Sequence, residues 1–137
     1  MLSSYKVKNI KTWVILHSLA MLIASSIALI FSSPVIISFF ALISFSGLIF
    51  THREYLARFS PWGGYANQIT IMRLIIVLFL PVLDIYAGNI ALLTAGIIII
   101  LTDGLDGYIA RKTKTISIIG SNLDIETDAV YVLTLTF

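Results

Sequence analysis

The amino-acid sequence predicts an all-α protein, a polytopic transmembrane helical bundle of about five spanning helices with a cytoplasmic N-terminus. The first observation is composition: 58% of the 137 residues are hydrophobic, 12% are charged, and the mean hydropathy is +1.00. Soluble domains carry about 25% charged residues, so lipid must be the solvent for much of this chain. The other two observations are five apolar stretches and a one-sided distribution of Lys and Arg.

The apolar stretches are each close to the roughly 20 residues that a spanning helix needs. They cover residues 13–31, 35–50, 69–86, 90–109 and 116–137. Residues 32–34 and 84–89 are short connections, whereas residues 51–67 form a longer, polar segment. We therefore predict an accessory N-terminal transmembrane hairpin, residues 1–60, followed by a second unit, residues 61–137.

The basic residues indicate the orientation. Eight of the nine lie before the first apolar stretch or in the second and fourth connections, on what would be one side of a membrane. An excess of Lys and Arg marks cytoplasmic loops, so these segments are predicted to be cytoplasmic. Only Arg73 lies within an apolar stretch, and we expect it to extend to the membrane interface or to bind an acceptor phosphate.

Several classes of protein are excluded or disfavoured. The basic residues form no continuous patch, which argues against nucleic acid as a partner. The chain contains no cysteine, so it has no disulfide, thiolate ligand or thiol nucleophile. The first apolar stretch is longer than the roughly 7–15 residues of a signal peptide core, so it is interpreted as a spanning helix.

Five of the seven acidic residues lie between positions 103 and 128, at the ends of otherwise apolar helices. One predicted helix carries a single stripe of residues at i, i+3, i+4 and i+7, namely Asp103, Asp106, Gly107 and Ala110. The next helix carries Asp124 and Asp128 one turn apart. Glu126 falls about 200° around that helix from Asp124 and should point elsewhere.

A hairpin about position 115 would bring these carboxylates together. Asp106 and Asp124 are each nine residues from that position, and Asp103 and Asp128 are twelve and thirteen residues away. Ala110 and Gly120 would also face each other and permit close helix approach. Four neighbouring carboxylates repel one another, and hard cations such as Mg²⁺ or Mn²⁺ would relieve that repulsion. The alternatives are helix capping, pairing with Arg111 and the lysines, and an ion or proton pathway in a transporter.

The acidic segment resembles the signature of the CDP-alcohol phosphatidyltransferase family, D-x2-D-G-x2-A-R-x8-G-x3-D-x3-D. All of its fixed positions are matched, at Asp103, Asp106, Gly107, Ala110, Arg111, Gly120, Asp124 and Asp128. Upstream, Asn67, Thr70 and Arg73 resemble the Asn-x2-Thr-x2-Arg pattern that opens the family's first catalytic-domain helix. On helical grounds alone, Asn67 is predicted to be a helix N-cap.

The resemblance implies an enzyme that transfers a substituted phosphate from a CDP-alcohol, usually CDP-diacylglycerol, to a small alcohol acceptor and releases CMP. It implies two Mg²⁺ or Mn²⁺ ions held by Asp103, Asp106 and Asp124, with Asp128 as the catalytic base and a further metal contact. The residues implied to bind the CDP moiety are Gly107, Ala110, Arg111, Gly120 and Thr70. Thr70 has the alternative of bonding only its own helix backbone.

The resemblance also bears on location and completeness. It implies a multi-pass protein of the bacterial cytoplasmic membrane whose active site faces the cytoplasm. Family members usually have six catalytic-domain helices, so residues 61–137 are interpreted as the N-terminal half of that domain in a truncated chain. An inactive fragment, or a remnant that binds CDP-lipid without catalysis, is the alternative. Residues 1–60 are available for packing or for homodimer contacts, and glycerol 3-phosphate, serine and inositol phosphate remain open as acceptors.

Overall fold

The computed structural model describes residues 2–59, 62–113 and 117–137. These ranges contain four helices and no strand: α1 (Leu2–Phe31), α2 (Val35–Leu56), α3 (Tyr65–Thr113) and α4 (Ile118–Leu135). The first three are long and apolar enough to cross a membrane. The prediction of an all-α transmembrane bundle is therefore confirmed. The turn centred on residue 115 and the boundary at residues 60 and 61 lie outside the described residues.

Helix α3 is broken at Gly88. This residue has φ 75° and ψ 177°, a conformation that is essentially restricted to glycine because a Cβ would clash with the backbone. Unbroken, the 49 residues of α3 would extend about 73 Å, more than twice the roughly 30 Å of a bilayer core. The break divides α3 into a first arm, residues 65–87, and a second arm, residues 89–113.

The two arms fold back on each other as an antiparallel hairpin. The Thr70 hydroxyl lies 2.8 Å from Asp106 Oδ2, and Arg73 Nη1 lies 2.6 Å from Asp103 Oδ1. Both pairs are centred on Gly88, because Thr70 and Asp106 are each 18 residues from it and Arg73 and Asp103 are each 15. The apolar stretches 69–86 and 90–109 correspond to the two arms. The connection predicted at residues 84–89 is helical except at Gly88.

The helices extend beyond the apolar stretches that predict them. Helix α2 continues to Leu56 and α3 begins at Tyr65, because polar residues of high helix propensity can continue a helix past its apolar span. The connection between them turns through Gly63 and Gly64, whose φ angles are 78° and 81°. Gly63 donates its backbone N–H to the carbonyl of Leu56 at 2.8 Å, which closes the end of α2.

Helices α2 and α4 each contact all three of the other helices. Fully buried Ala24, Ala28 and Ala41 allow α1 and α2 to approach closely. The main core draws on all four helices and comprises Met21, Ala24, Ala28, Ile37, Ala41, Phe45, Leu48, Leu74, Val77, Leu80, Ala95, Ile99, Leu123 and Val130.

Large apolar side chains also cover the outside of the bundle. Examples on α1 and α3 are Leu29, Ile30, Phe79, Ile90 and Ile100, which are 57–82% exposed. Water would not stabilise such a surface, whereas hydrocarbon would, and this agrees with the composition of the chain.

Candidate metal centre

Four aspartates converge at one end of the α3 hairpin. Asp103 and Asp106 belong to the second arm, and Asp124 and Asp128 lie one turn apart on α4. All four approach the guanidinium of Arg73 on the first arm. The predicted convergence of the carboxylates is therefore present, and it is organised around a cation from a third segment.

Arg73 is completely buried, and each of its terminal nitrogens bridges two carboxylates. Nη1 lies 2.6 Å from Asp103 Oδ1 and 3.4 Å from Asp106 Oδ2. Nη2 contacts Asp124 Oδ1 and lies 3.2 Å from Asp128 Oδ1. The planar fork of a guanidinium suits this double bridging.

The expectation that Arg73 extends to the membrane interface is wrong. Its side chain is 0% exposed, because four carboxylates within reach attract the guanidinium inward more strongly than the interface attracts it outward. The pairing of the carboxylates with Arg111, one of the alternatives drawn from the sequence, is replaced by pairing with Arg73.

The centre carries an excess of negative charge and is open on one side. One guanidinium faces four carboxylates, which leaves about three negative charges uncompensated when all are ionised. The Asp106 side chain is 4% exposed, whereas those of Asp103, Asp124 and Asp128 are 52%, 36% and 49% exposed. A cation can therefore approach from the exposed side.

Three of the carboxylates are spaced for a common metal ion. Asp103, Asp106 and Asp124 each offer one oxygen, and these oxygens lie within 4.8 Å of one another. Mg²⁺ binds oxygen at about 2.0–2.1 Å, so opposite ligands in an octahedron are about 4.2 Å apart. Small side-chain rotations would therefore give coordinating distances, and the all-oxygen donor set fits a hard divalent cation. Asp128 lies outside this group of three.

Thr70 braces the buried member of the centre. Its hydroxyl lies 2.8 Å from Asp106 Oδ2 and 3.2 Å from the carbonyl oxygen of Ala66. The bond to its own helix backbone is present, but the alternative that Thr70 makes only this bond is wrong, because its hydroxyl also meets Asp106, a contact that was not predicted. This contact orients the one carboxylate that is withdrawn from solvent.

A cavity of about 220 Å³ adjoins the four aspartates. It lies between the two α3 arms and the start of α4, and Asp106 and Asp124 form part of its wall. Every residue predicted to bind the CDP moiety lines it: Thr70, Gly107, Ala110, Arg111 and Gly120. The metal candidates and the predicted binding residues therefore share one site.

The start of α4 contributes helix-terminal groups to the cavity wall. Ser117 is the N-cap, with φ −134° and ψ 150°, and its Oγ accepts a hydrogen bond from Gly120 N at 3.0 Å. A helix N-terminus favours anions. The Arg111 guanidinium lies over Gly107, where an added Cβ would be 3.4 Å from its Nη1, so this wall also carries a positive charge.

Asn67 is a cavity residue whose position the sequence reasoning misjudged. Asn67 lies inside α3, because the helix begins at Tyr65 and the Gln68 N–H already bonds to the Gly64 carbonyl. The residue is 5% exposed. The predicted N-cap role is therefore wrong. Its Nδ2 has no hydrogen-bond partner within the described ranges. The three-residue spacing from Thr70, which places both on one helix face, was the available signal.

Gly120 makes room for Asn67. A Cβ built at Gly120 would overlap Asn67 Oδ1 and lie 3.0 Å from Ser117 Oγ. The close approach at Gly120 is therefore to the first arm of α3, and Ala110, its predicted partner, lines the same cavity.

The remaining acidic and imidazole groups of the bundle lie away from the centre. Glu126 faces α1, where its Oε2 is 3.7 Å from His17 Nε2, as its angular position predicted. His52 contacts the carbonyl of Leu48 in its own helix at 3.0 Å.

Comparison with protein-family models gave a match over the second part of the chain. Residues 64–137 match the family model described as CDP-alcohol phosphatidyltransferase. This region contains both arms of α3, all of α4 and every residue of the centre and the cavity. Searches of curated proteins and of solved structures each returned no match.

Proposed function

This chain belongs to the CDP-alcohol phosphatidyltransferase family, and on that premise we propose that it transfers a substituted phosphate from a CDP-alcohol to an alcohol acceptor. CDP-diacylglycerol is the proposed donor, and CMP is the product released. The observation that carries the proposal is the convergence of four aspartates beside a cavity lined by the family's motif residues. The apolar bundle surface supports a donor whose lipid tail stays in the bilayer.

Asp103, Asp106 and Asp124 are the proposed ligands of two divalent cations, Mg²⁺ or Mn²⁺. Their clustered oxygens and the uncompensated negative charge support this assignment. Bound divalent cations would neutralise the diphosphate and stabilise the departing CMP. Arg73 keeps the four carboxylates close together, so the ligands are gathered before any cation arrives.

Asp128 is the proposed general base and a further metal contact. Its position outside the three-oxygen group and its 49% exposure support access to an incoming hydroxyl. Asp128 accepts the proton of the acceptor hydroxyl as the acceptor oxygen forms its bond to phosphorus. The bond between that phosphorus and the CMP oxygen breaks, and CMP leaves with the electron pair.

The cavity is the proposed site of the CDP moiety. Gly107, Ala110 and Gly120 leave space in its wall, and Arg111 and the start of α4 provide positive charge for phosphate oxygens. Thr70 holds Asp106 in place beside this site. It is also a proposed contact of the phosphates, for which its single hydroxyl proton would turn away from Asp106.

Residues 1–60 are proposed to be an accessory hairpin, and residues 61–137 to belong to the catalytic domain. The proposed location is a bacterial cytoplasmic membrane with the centre facing the cytoplasm, which the Lys and Arg distribution supports. A homodimer formed through the accessory hairpin belongs to the same proposal.

The test is CMP release from CDP-diacylglycerol in membranes that contain the chain, with Mg²⁺ or Mn²⁺ and a panel of acceptors. Glycerol 3-phosphate, serine and inositol phosphate are the first acceptors to compare. We expect release that requires one acceptor and stops when a chelator is added. A parallel binding measurement with the same lipid reports whether the site is occupied.

For substitutions of the four aspartates, such as Asp128→Asn, the matched control is Asp84→Asn, because Asp84 is an exposed aspartate on α3 near the Gly88 break. Metal-dependent lipid binding without CMP release would identify a CDP-lipid-binding protein and contradict the transferase. Acid-dependent ion flux in vesicles, with no response to CDP-lipid, would indicate a transporter instead.

A further inference from the structure

Helix α4 carries acidic side chains on two opposite faces. Asp124 and Asp128 face Arg73, and Glu126 lies two residues from each, about 200° around the helix. Glu126 is only 9% exposed, although it belongs to neither the metal centre nor its cavity. A buried carboxylate in an apolar bundle is costly unless it has a partner, so its environment requires an explanation.

His17 of α1 is the group that faces Glu126. The imidazole is 1% exposed, and its Nδ1 lies 2.7 Å from the hydroxyl of Ser44 on α2. Nε2 has no hydrogen-bond partner in the part of the chain that the structure describes, and it lies 3.7 Å from Glu126 Oε2. The imidazole edge that Ser44 does not bind is therefore directed at α4.

The imidazole is itself held firmly. It stacks on Trp13 with ring centroids 5.0 Å apart and packs at 4.8 Å against Phe45. Trp13 Nε1 in turn donates to the carbonyl of Ser44 at 3.1 Å. Contacts from two helices fix the ring, so His17 provides a rigid reference point for α4.

We propose that His17 and Glu126 are a positioning pair that sets the rotation of α4 about its axis. The pair would thereby aim Asp124 and Asp128 at the metal centre from the opposite side of the helix. The inference rests on the proposed metal centre and assigns a role in it to α1, which lies outside the matched residues 64–137.

The geometry explains why rotation matters. Side-chain ends lie about 5–6 Å from a helix axis, so a 20° rotation would move a carboxylate by about 2 Å. That displacement is comparable to a whole Mg²⁺–oxygen bond of about 2.1 Å. The apolar contacts of Leu123 and Val130 hold α4 in the core, but apolar packing is non-directional. Polar contacts specify the angle: Arg73 does so on the face of Asp124 and Asp128, and the proposed pair would do so on the opposite face.

The groove around Glu126 offers no competing cation. Apart from Glu126, the side chains that line it are serines and apolar residues of α1 and α4. Ser18 and Ser26 use their hydroxyls to bond to carbonyls of their own helix. Ser25, the third serine, has a buried Oγ with no hydrogen-bond partner in the described ranges, but a hydroxyl carries no charge. His17, just outside the groove lining, is the described imidazole that lies within 4 Å of Glu126.

The test measures metal binding without catalysis. The purified chain in detergent is titrated with Mn²⁺, and the rise in Tm gives the metal concentration at half effect. We expect His17→Leu and Glu126→Leu each to raise this concentration about tenfold, the lower end of the range for residues that orient metal ligands. The double variant should be no worse than either single variant, because both remove the same contact.

Two further variants separate positioning from folding and from charge. Glu126→Gln keeps the side-chain length and an acceptor oxygen, and should bind metal within about threefold of the unchanged chain. Glu126→Asp keeps the charge but withdraws it from His17, and should weaken metal binding. His52→Leu is the matched control, because it removes another buried histidine, whose imidazole Nδ1 lies 3.0 Å from a carbonyl of its own helix.

The outcomes are distinct. If the His17 and Glu126 variants lower Tm as His52→Leu does but leave the metal titration unchanged, the pair only supports folding and the inference is overturned. If the unchanged chain shows no metal-dependent rise in Tm, the proposed metal centre itself fails, and the inference fails with it. Weakened metal binding in Glu126→Asp together with retention in Glu126→Gln supports positioning.

Discussion

The two acidic faces of α4 differ in how their charge is balanced. On one face, Asp124 and Asp128 join two more carboxylates around a single guanidinium, and both are at least one-third exposed. On the other face, Glu126 meets one imidazole and is buried. The first arrangement leaves charge uncompensated and accessible, which suits the binding of a cation. The second is closed, with an imidazole nitrogen 3.7 Å from the carboxylate, which suits the fixing of a helix.

The comparison shows that burial and charge balance together distinguish the roles of acidic groups in a membrane protein. Spacing along the sequence places Glu126 on a different face of α4 from Asp124 and Asp128. It does not tell which side chains of the other helices each face contacts. The first face contacts Arg73 of the α3 hairpin and the second contacts His17 of α1, so each can be disturbed separately.

The largest expected effect is on the exposed, charge-rich face. Asp128→Asn removes the proposed base but retains the side-chain volume, so CMP release should fall by about 10³-fold. Metal-dependent binding of CDP-lipid should persist, because Asp103, Asp106 and Asp124 remain. Assays of release and binding on the same membrane preparation check this, and unchanged turnover would remove Asp128 from the proposed reaction.

Arg73→Ala should increase the uncompensated negative charge on the same face. Removing a fully buried guanidinium from four carboxylates should lower the free energy of unfolding by about 3 kcal/mol, the lower end of the range for buried pairs because three carboxylates are partly exposed. Excess Mg²⁺ should restore part of the loss. Unfolding in detergent with chelator and with Mg²⁺ measures both effects.

Arg73→Lys is the companion variant. A lysine keeps the charge but lacks the planar fork that bridges two carboxylates at each nitrogen, so its loss of stability should be intermediate. Equal stability of the alanine variant and the unchanged chain in chelator would mean that Arg73 does not hold the centre together.

Gly120→Ala tests how closely α4 must approach α3. The added Cβ would overlap Asn67 Oδ1, so we expect a loss of about 2 kcal/mol in the free energy of unfolding. Adding Asn67→Ala removes the overlapping atom, and the double variant should be less destabilised than the sum of the two single changes. Strict additivity would show that the two residues do not meet.

The smallest effect is expected at the hairpin turn. Gly88→Ala introduces a Cβ at φ 75° and ψ 177°, which should cost about 1–2 kcal/mol in the free energy of unfolding. Gly47→Ala is the control, because Gly47 is helical and an added Cβ meets nothing within 4 Å. It should be neutral or slightly stabilising. If both variants behave alike, Gly88 does not require its glycine.

Much of the fold and of the centre followed from local rules. Apolar length predicted the helices, and helical periodicity placed Asp103 with Asp106 and Asp124 with Asp128, because these features depend only on neighbours along one helix. Arg73 and Asn67 were misjudged, because their partners come from segments about 30 to 50 residues away. His17 and Glu126 are still farther apart in the sequence, and no pattern within one helix predicts their contact.

The equal arms on either side of Gly88 constrain how the length of this chain can change. From Gly88 to Thr70, and from Gly88 to Asp106, the chain advances 18 residues, about 27 Å of helix, close to the thickness of a bilayer core. Inserting one residue in either arm would turn everything beyond it by about 100° and shift it by about 1.5 Å. Thr70 would then no longer meet Asp106. Insertions and deletions are therefore expected to be tolerated in the exposed connections and excluded from the arms.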